Sequence, residues 1–332
     1  MKKDTLRSIG FYSLSDRRAE EVSSTSQMER CELIITEDCN FSCPYCRGLE
    51  EYIYGSREVK QLSLSEVKYY IDLWCEGTPL VNIRFSGGEP TMHPDIVEIV
   101  EYAKSKGIQR IAISTNGSND IALYYRLIEA GCNDFSISLD ACCASDGDKL
   151  SGGVVGSWNT VIENIRILSA MVYVSVGAVL VPFNIASTLK TITLAHDLGV
   201  SDIRIISAAQ YNKPIPGLKA VSDDILDAHP ILKYRVNHFI EGRNVRGIQE
   251  TDTHKCSIVL DDSVIAGDYH FPCVIYMREK GKPIGRVSST MREDRVAWFS
   301  THDTYKDKIC RKNCLDVCID HNNACEKFRV KR

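Results

Sequence analysis

The chain has 332 residues, of which 44% are hydrophobic and 25% charged, the proportions of a soluble globular protein of about two domains, which excludes disordered and fibrous classes. The formal charge of −4 argues against nonspecific coating of DNA. Cysteine is the departure from average: 14 are present, too many for packing alone unless the chain is secreted or binds metal.

From the start, Met1 to Ser26 mixes Lys2, Lys3, Asp4, Arg7, Arg17 and Arg18 with acidic residues and contains no apolar segment of the kind a signal peptide needs. Residues 1–30 therefore read as an N-terminal extension. The longest apolar stretch, Ala170 to Phe183, is interrupted by Ser175, bounded by Pro182, and shorter than the ~20 residues of a membrane helix. It reads as a buried strand. A cytoplasmic location and no membrane partner are expected, and in a reducing compartment dense cysteine implies metal ligation or redox chemistry rather than a disulfide framework.

Strand-like runs then alternate with helical patterns. Cys31 to Thr36 is a strand and Leu64 to Cys75 a helix; Val81 to Phe85 is followed by a helix over Asp95 to Ser105, and Arg110 to Ser114 by Ile121 to Ala130. Asp134 to Leu139 precedes a helix over Trp158 to Ala170, Val172 to Val181 precedes Ile185 to Leu198, and Asp202 to Ile206 closes the series. Six βα units predict parallel pairing, a partial (β/α)6 TIM-like barrel over residues 31–206, with chemistry at the C-terminal strand ends. The pattern loosens through Pro214, Pro216 and Gly217 into a linker, 207–253, with a helix over Ile231 to Glu241. Residues 254–332 form a small cysteine-rich C-terminal domain.

After the first strand comes Cys39-Asn40-Phe41-Ser42-Cys43-Pro44-Tyr45-Cys46. Three thiolates can hold three irons of a [4Fe-4S] cube and leave the fourth iron open; a zinc site lacking one protein ligand, or thiols merely close together, are the alternatives. The CxxxCxxC triplet, with an aromatic before its last cysteine, resembles the radical S-adenosylmethionine superfamily. After the second strand, Ser86-Gly87-Gly88-Glu89-Pro90 is similar to that family's GGE motif, where backbone and carboxylate hold the methionyl ammonium of S-adenosylmethionine; taken alone, the glycines are an ordinary strand-to-helix turn. Ser114-Thr115-Asn116-Gly117 resembles the polar strand end that faces the ribose and carboxylate.

Strand alternation puts Ser136, Ser138 and Asp140 on one face with Asp140 at the mouth, where the family often makes ribose or substrate contacts. A solvated aspartate is the alternative. Tyr45 is expected by resemblance to present its backbone to the adenine edge, and the fifth strand, with Gly177, Val179 and Val181, only partly keeps the family's GxIxGxxE pattern. The resemblance implies that the cluster donates an electron to S-adenosylmethionine and that a 5'-deoxyadenosyl radical abstracts hydrogen from a substrate, with a flavodoxin- or ferredoxin-type electron donor as partner.

In the tail, Cys256-x10-Gly267-x5-Cys273 resembles the opening of SPASM and twitch extensions, one residue long in its second spacer. The run Cys310-x3-Cys314-x3-Cys318-x6-Cys325 departs from SPASM spacing, and six tail cysteines are fewer than the seven of a two-cluster SPASM domain. One or two auxiliary iron–sulfur clusters are expected, with structural zinc as the alternative. Cys142 and Cys143 follow Asp140, where a thiol could return a hydrogen atom to a substrate radical, making an epimerisation; an incidental thiol is the plainer reading. Cys31, Cys75 and the histidines His93 and His254 read as structural, with His270 a possible substitute ligand.

The function expected is therefore oxidation, epimerisation or crosslinking of a peptide or of a sugar- or nucleoside-like small molecule. A noncatalytic iron–sulfur electron carrier does not account for the Gly87-Gly88-Glu89 and Ser114 to Gly117 elements. A zinc-stabilised binding module would have to use the basic end, Lys327, Arg329, Lys331 and Arg332, which reads as a solvated terminus, so nucleic acid is not expected as a partner.

Overall fold

Runs of Ile, Val and Phe make six strands whose neighbours all pair in parallel: β1 (Arg30–Thr36), β2 (Asn82–Gly87), β3 (Arg110–Thr115), β4 (Asp134–Ser138), β5 (Tyr173–Leu180) and β6 (Asp202–Ser207). The computed structural model describes residues 9–11, 16–55, 57–208 and 217–330. Lys2, Lys3, Asp4, Arg7, the linker prolines Pro214 and Pro216, and the terminal Lys331 and Arg332 lie outside the described residues.

Helices Leu64–Cys75, Ile96–Ser105, Ile121–Ala130, Ser157–Ser169 and Thr188–Asp197 connect the strands. Local signals set their ends. Ser63 and Glu66 form a reciprocal capping box at the first, and Gly131, in the left-handed conformation at φ 120°, closes the third. Outward positions such as Leu33, Phe85, Ile111, Ile113, Phe135 and Ile137 are fully buried under these helices, the main apolar core. The inward positions are polar, among them Glu32, Arg84, Ser114, Ser136, Ser138 and Arg204, and they line the barrel's cavities. This is the partial (β/α)6 barrel that the alternation predicts.

The tail continues the same sheet. β7 (Asp262–Ala266) pairs in parallel with β1, and β8 (Tyr269–Phe271) and β9 (Gly285–Arg286) follow antiparallel, giving the order β6-β5-β4-β3-β2-β1-β7-β8-β9. Arg295, fully buried on the helix Met291–Thr301, donates to the carbonyls of Val259 and Phe271, both at 2.9 Å, and binds that helix to the new strands. At the other end of the chain, the helix Asp16–Glu21 packs on the terminal helix Asp316–Val330. A buried Arg18–Asp261 ion pair fixes the N-terminal segment there.

Asp202 opens β6 in a buried position; its carboxylate accepts from the Ile203 N–H at 2.8 Å and from the Ile231 N–H, at the start of helix Pro230–Ile240, at 3.2 Å. Burial raises its pKa to about 6 against these hydrogen bonds. Because the folded value exceeds the unfolded one, this group's contribution to stability falls as pH rises from about 4 to 6. Asp202→Asn should remove that slope, so thermal melts of the two proteins across this window should converge at the acid end and separate, with the variant higher, above pH 6.

Candidate active site

The loop after β1 carries Cys39, Cys43 and Cys46 into a cavity of about 400 Å³ at the C-terminal ends of the strands. Its shape is held by the Cys46 N–H on the Cys43 carbonyl at 3.0 Å and the Ser42 N–H on the Ser151 carbonyl at 2.9 Å. Asn40 ties it to the β3 end, donating to Ser118 Oγ at 2.9 Å and accepting from Asn116 Nδ2 at 2.7 Å. Burial pushes the Cys43 thiol up to about 11, with the other two cysteines adding to the rise, and raises Cys39 as well. Three sulfurs around one opening are a donor set suited to a cationic iron–sulfur centre, which would hold them as thiolates.

Opposite the thiols stands the Gly87-Gly88-Glu89 turn. A Cβ on Gly88 would lie 2.2 Å from the Asp38 carbonyl oxygen, and one on Gly87, at φ 149°, 2.1 Å from that of Thr36. The close approach that these glycines allow is thus to the chain's own backbone, where the sequence reading had placed the cofactor; the Gly88 and Glu89 N–H groups bond the Thr36 and Asp38 carbonyls at 2.8 and 2.7 Å. Glu89 is buried. Its Oε1 accepts from the Thr91 N–H at 3.0 Å, Thr91 Oγ1 at 2.6 Å and Thr115 Oγ1 at 2.7 Å, and its Oε2 from the Asn116 N–H at 2.6 Å. Burial still raises its pKa. Ser86, Ser114, Asn116 and Ser138 complete the wall as the strand pattern predicts.

Asp140 accepts from the Tyr45 hydroxyl and, at 2.6 Å, from the Val179 N–H, while burial raises its pKa to about 6. It is therefore a brace between the cysteine loop and β5 and not a solvated strand end. Among the described residues, Cys142 and Cys143 are absent from the cavity wall. The chain turns outward after Asp140, whose carbonyl is held by Asn184 Nδ2 at 2.8 Å, and Cys143 becomes the residue before the helix Ala144–Leu150. The hydrogen-atom donor role expected of these two thiols therefore lacks a geometric basis.

In the tail, Cys256, Cys273, Cys310, Cys314 and Cys318 surround a small void of about 40 Å³. Burial raises the thiol pKa values of Cys256, Cys273 and Cys310; Cys314 is also raised, first by its hydrogen bond with Cys318. Five such sulfurs suit a metal centre. Cys325, expected with them, is not in the void wall: it packs with Ala19, Val22, Val259 and Leu260 and bonds His321 Nε2 at 3.4 Å, because on the helix Asp316–Val330 it stands two turns, about 10 Å, beyond Cys318, where the N-terminal segment packs. His270 is fully buried beside Arg295, its pKa lowered to about 3 by burial, and is not in the void wall. His93 bonds the Leu62 carbonyl at 2.7 Å, and His254 stacks on Tyr305. Sequence spacing did not reveal that His302, Asp307 and Cys310 bring ligand atoms within 4.8 Å of one another.

A second cavity, of about 470 Å³, adjoins both others. It shares Ser114, Ser136, Ser138, Gly177 and Arg278 with the first, and Cys273 and Cys318 with the tail void. Arg278, on the tail helix Val274–Arg278, donates to the carbonyls of Gly48 and Gly87, both at 2.9 Å, and so closes the tail over the cysteine loop. Nothing in local spacing marked it.

The family profile described as Radical SAM superfamily matches residues 33–195. Among curated proteins, the chain is 30% identical over 185 residues to a probable GTP 3',8-cyclase of Saccharolobus islandicus, covering 54% of this chain and 56% of that one. It is 29% identical over 168 residues to an AdoMet-dependent heme synthase of Methanosarcina barkeri, covering 50% and 46%. The chain spans about half the length of the curated relatives it matches. Two solved structures share the fold: anSMEcpe with bound AdoMet, at TM-score 0.59 and 15% identity over 92% of this chain and 95% of that one, and Streptococcus suis SuiB bound to S-adenosylmethionine, at 0.58 and 11% over 90% and 68%. Residues 33–195 carry a domain of the radical SAM superfamily, and the curated relatives that match it are named as enzymes. The cofactors of that domain are a [4Fe-4S] cluster and S-adenosylmethionine, and the three-thiol cavity fits them. No helix among the described residues is long and apolar enough to cross a membrane.

Proposed function

We propose that the protein binds a [4Fe-4S] cluster on Cys39, Cys43 and Cys46 and S-adenosylmethionine beside it, and oxidises a substrate held in the adjoining cavity. When bound, the pair supplies a 5'-deoxyadenosyl radical that takes a hydrogen atom from the substrate. The observation that carries this reading is the shared wall: Ser138 and Gly177 border both the three-cysteine cavity and the second one. A substrate there stands next to the cofactor site, away from open solvent.

This chain's own residues position the reactants. Glu89 fixes the β2 and β3 ends through its four hydrogen bonds, and its Oε2, with a single partner, is the oxygen offered to a methionyl ammonium. Asn116 and Ser138 offer side-chain contacts to the ribose and carboxylate. Four of the five thiols Cys256, Cys273, Cys310, Cys314 and Cys318 would suffice to hold one auxiliary [4Fe-4S] cluster. Because Cys273 and Cys318 also line the second cavity, such a cluster would supply a one-electron acceptor beside the substrate. This favours oxidation over epimerisation, as Cys142 and Cys143 are outside the wall. A flavodoxin- or ferredoxin-type protein supplies the first electron. One structure of similar fold is Streptococcus suis SuiB bound to its precursor peptide SuiA, so a peptide is one substrate class and a small molecule the other.

The test is iron, sulfide and zinc content with S-adenosylmethionine cleavage, on anaerobically reconstituted protein under a strong reductant. About eight irons with 5'-deoxyadenosine formed support the reading with one auxiliary cluster. Zinc without iron or cleavage would overturn it, and zinc in the tail alone would assign His302, Asp307 and Cys310 to a structural site. Replacing Cys256, Cys273 and Cys318 together by Ser leaves two thiols at the void and should cost about four irons, whereas Cys325→Ser should leave the metal content unchanged.

A further inference from the structure

Seven arginines border the second cavity, against two acidic residues, Glu32 and Asp262. Most are answered elsewhere. Arg30 pairs with Asp262 at 2.8 Å, Arg84 lies 3.7 Å from the buried Asp134, Arg47 pairs with Glu279 and Arg235 with Asp316. Arg204 is different: its Nε is buried and, among the described residues, without a hydrogen-bond partner. Among the described residues, no carboxylate lies within ion-pair distance of Arg204 or of Arg278, and Arg278 donates to the main-chain carbonyls of Gly48 and Gly87.

Register places Arg204 beside the cofactor cavity. Ser138 pairs with Gly177 and Gly177 with Arg204, so the three form one row across β4, β5 and β6, with strands about 4.8 Å apart. Gly177 has nothing within 4 Å of where its Cβ would be, which leaves room over the row. A guanidinium with no carboxylate at ion-pair distance among the described residues, and with Asp202 opposing its charge only through space, is therefore one strand spacing from a glycine that borders both cavities.

The other cations add to the same field. Arg84 feels repulsion from Arg204 and Arg30, although burial is the larger cause of its lowered pKa, and Arg246 is lowered to about 10 by burial first and then by Arg47 and Arg235. A single carboxylate brings one charge to such a site. A phosphate group brings up to two, with several oxygens for forked guanidinium donors. The volume, about 470 Å³, is that of a small-molecule site.

We propose that the substrate is a phosphate-bearing small molecule, its phosphate seated on Arg204 within the arginine-lined cavity and its reacting carbon directed past Gly177 towards the cofactor. This rests on the function proposed above and selects the small-molecule class over the peptide. Specificity then comes from charge on the β6 side of the cavity, with Ser138 in the same row and Ser136 one row below it available to hydroxyl groups.

The experiment is calorimetric titration of the full-length reconstituted protein with inorganic pyrophosphate, without S-adenosylmethionine, beside citrate and an oligo-glutamate peptide. Pyrophosphate should bind with one-to-one stoichiometry and weaken with added salt; Arg204→Gln should weaken it tenfold or more, and Arg204→Lys should recover most of the loss. Equal binding by wild type and Arg204→Gln, no binding at all, or tighter binding of citrate or the peptide would each overturn the proposal. Thermal melts with iron content confirm that both variants are folded, and Arg84→Gln gives a second perturbation of the same cavity if Arg204→Gln is not. S-adenosylmethionine cleavage without binding of pyrophosphate removes the phosphate site alone. Binding without cleavage removes the enzymatic reading and keeps the anion site.

Discussion

Cys43→Ala is expected to form no 5'-deoxyadenosine above a no-enzyme control while retaining about four tail irons. Three thiolates are the fewest that hold a cubic cluster with one open iron, so two leave it without a third anchor. The neighbourhood offers no substitute: Tyr45, the nearest polar side chain on the loop, commits its hydroxyl to Asp140 and is driven by burial and that carboxylate to remain protonated. The tail thiols belong to a different void, walled by Cys256, Cys310 and Cys314, none of which borders the first cavity. Iron and sulfide assays together with product analysis check both halves. Loss of all iron in this variant would mean that the two sites are not independent.

Glu89→Ala should be among the most damaging single changes in the barrel. Four donors, two of them backbone N–H groups, converge on this buried carboxylate. Removing it leaves them without their acceptor at a cost of about 3–5 kcal/mol, which in a protein of this size lowers the melting temperature by roughly 10 °C. The β2 and β3 ends would then separate, and S-adenosylmethionine binding, measured by equilibrium dialysis on reconstituted protein, should fall below detection. Glu89→Gln keeps Oε1 as an acceptor but can set an amide N–H against that of Asn116, so it should fall between the two. An unchanged melting temperature in Glu89→Ala would remove this bracing role.

The barrel was legible because its signals are local. Helices Leu64–Cys75 and Ile121–Ala130 follow the apolar periodicity to the residue, and each strand lies within a residue or two of its apolar run. So were the cysteine loop and the Ser86, Ser114 and Ser138 wall, since strand alternation fixes the side on which each stands. What escaped depends on distant partners. Arg278 meets Gly87 from 191 residues away, and the tail joins the sheet through β7, a five-residue strand. Cys325 was counted with the tail thiols on spacing alone, yet it stands two helical turns, about 10 Å, beyond Cys318 and packs under the N-terminal segment. Cys142 and Cys143 were placed by adjacency to Asp140, and one outward turn separates neighbours in sequence from neighbours in the site. The inward arginines did leave a trace: Arg84 and Arg204 occupy strand positions flanked by buried apolar residues, where a cation is costly and has to be matched to something.

The seating of β7 against β1 also bears on how the chain is assembled. The contact joins residues 232 positions apart, so on a ribosome β1 emerges long before the strand that covers its outer edge. Until then that edge is an unpaired template carrying Leu33, Ile34 and Ile35, open to pairing with another nascent chain. Closure entropy for so long a loop makes its capture a late event in folding. The edge that frames the active site is thus completed by a strand made after all six of the barrel, and a barrel cut off after β6 would expose an aggregation-prone border.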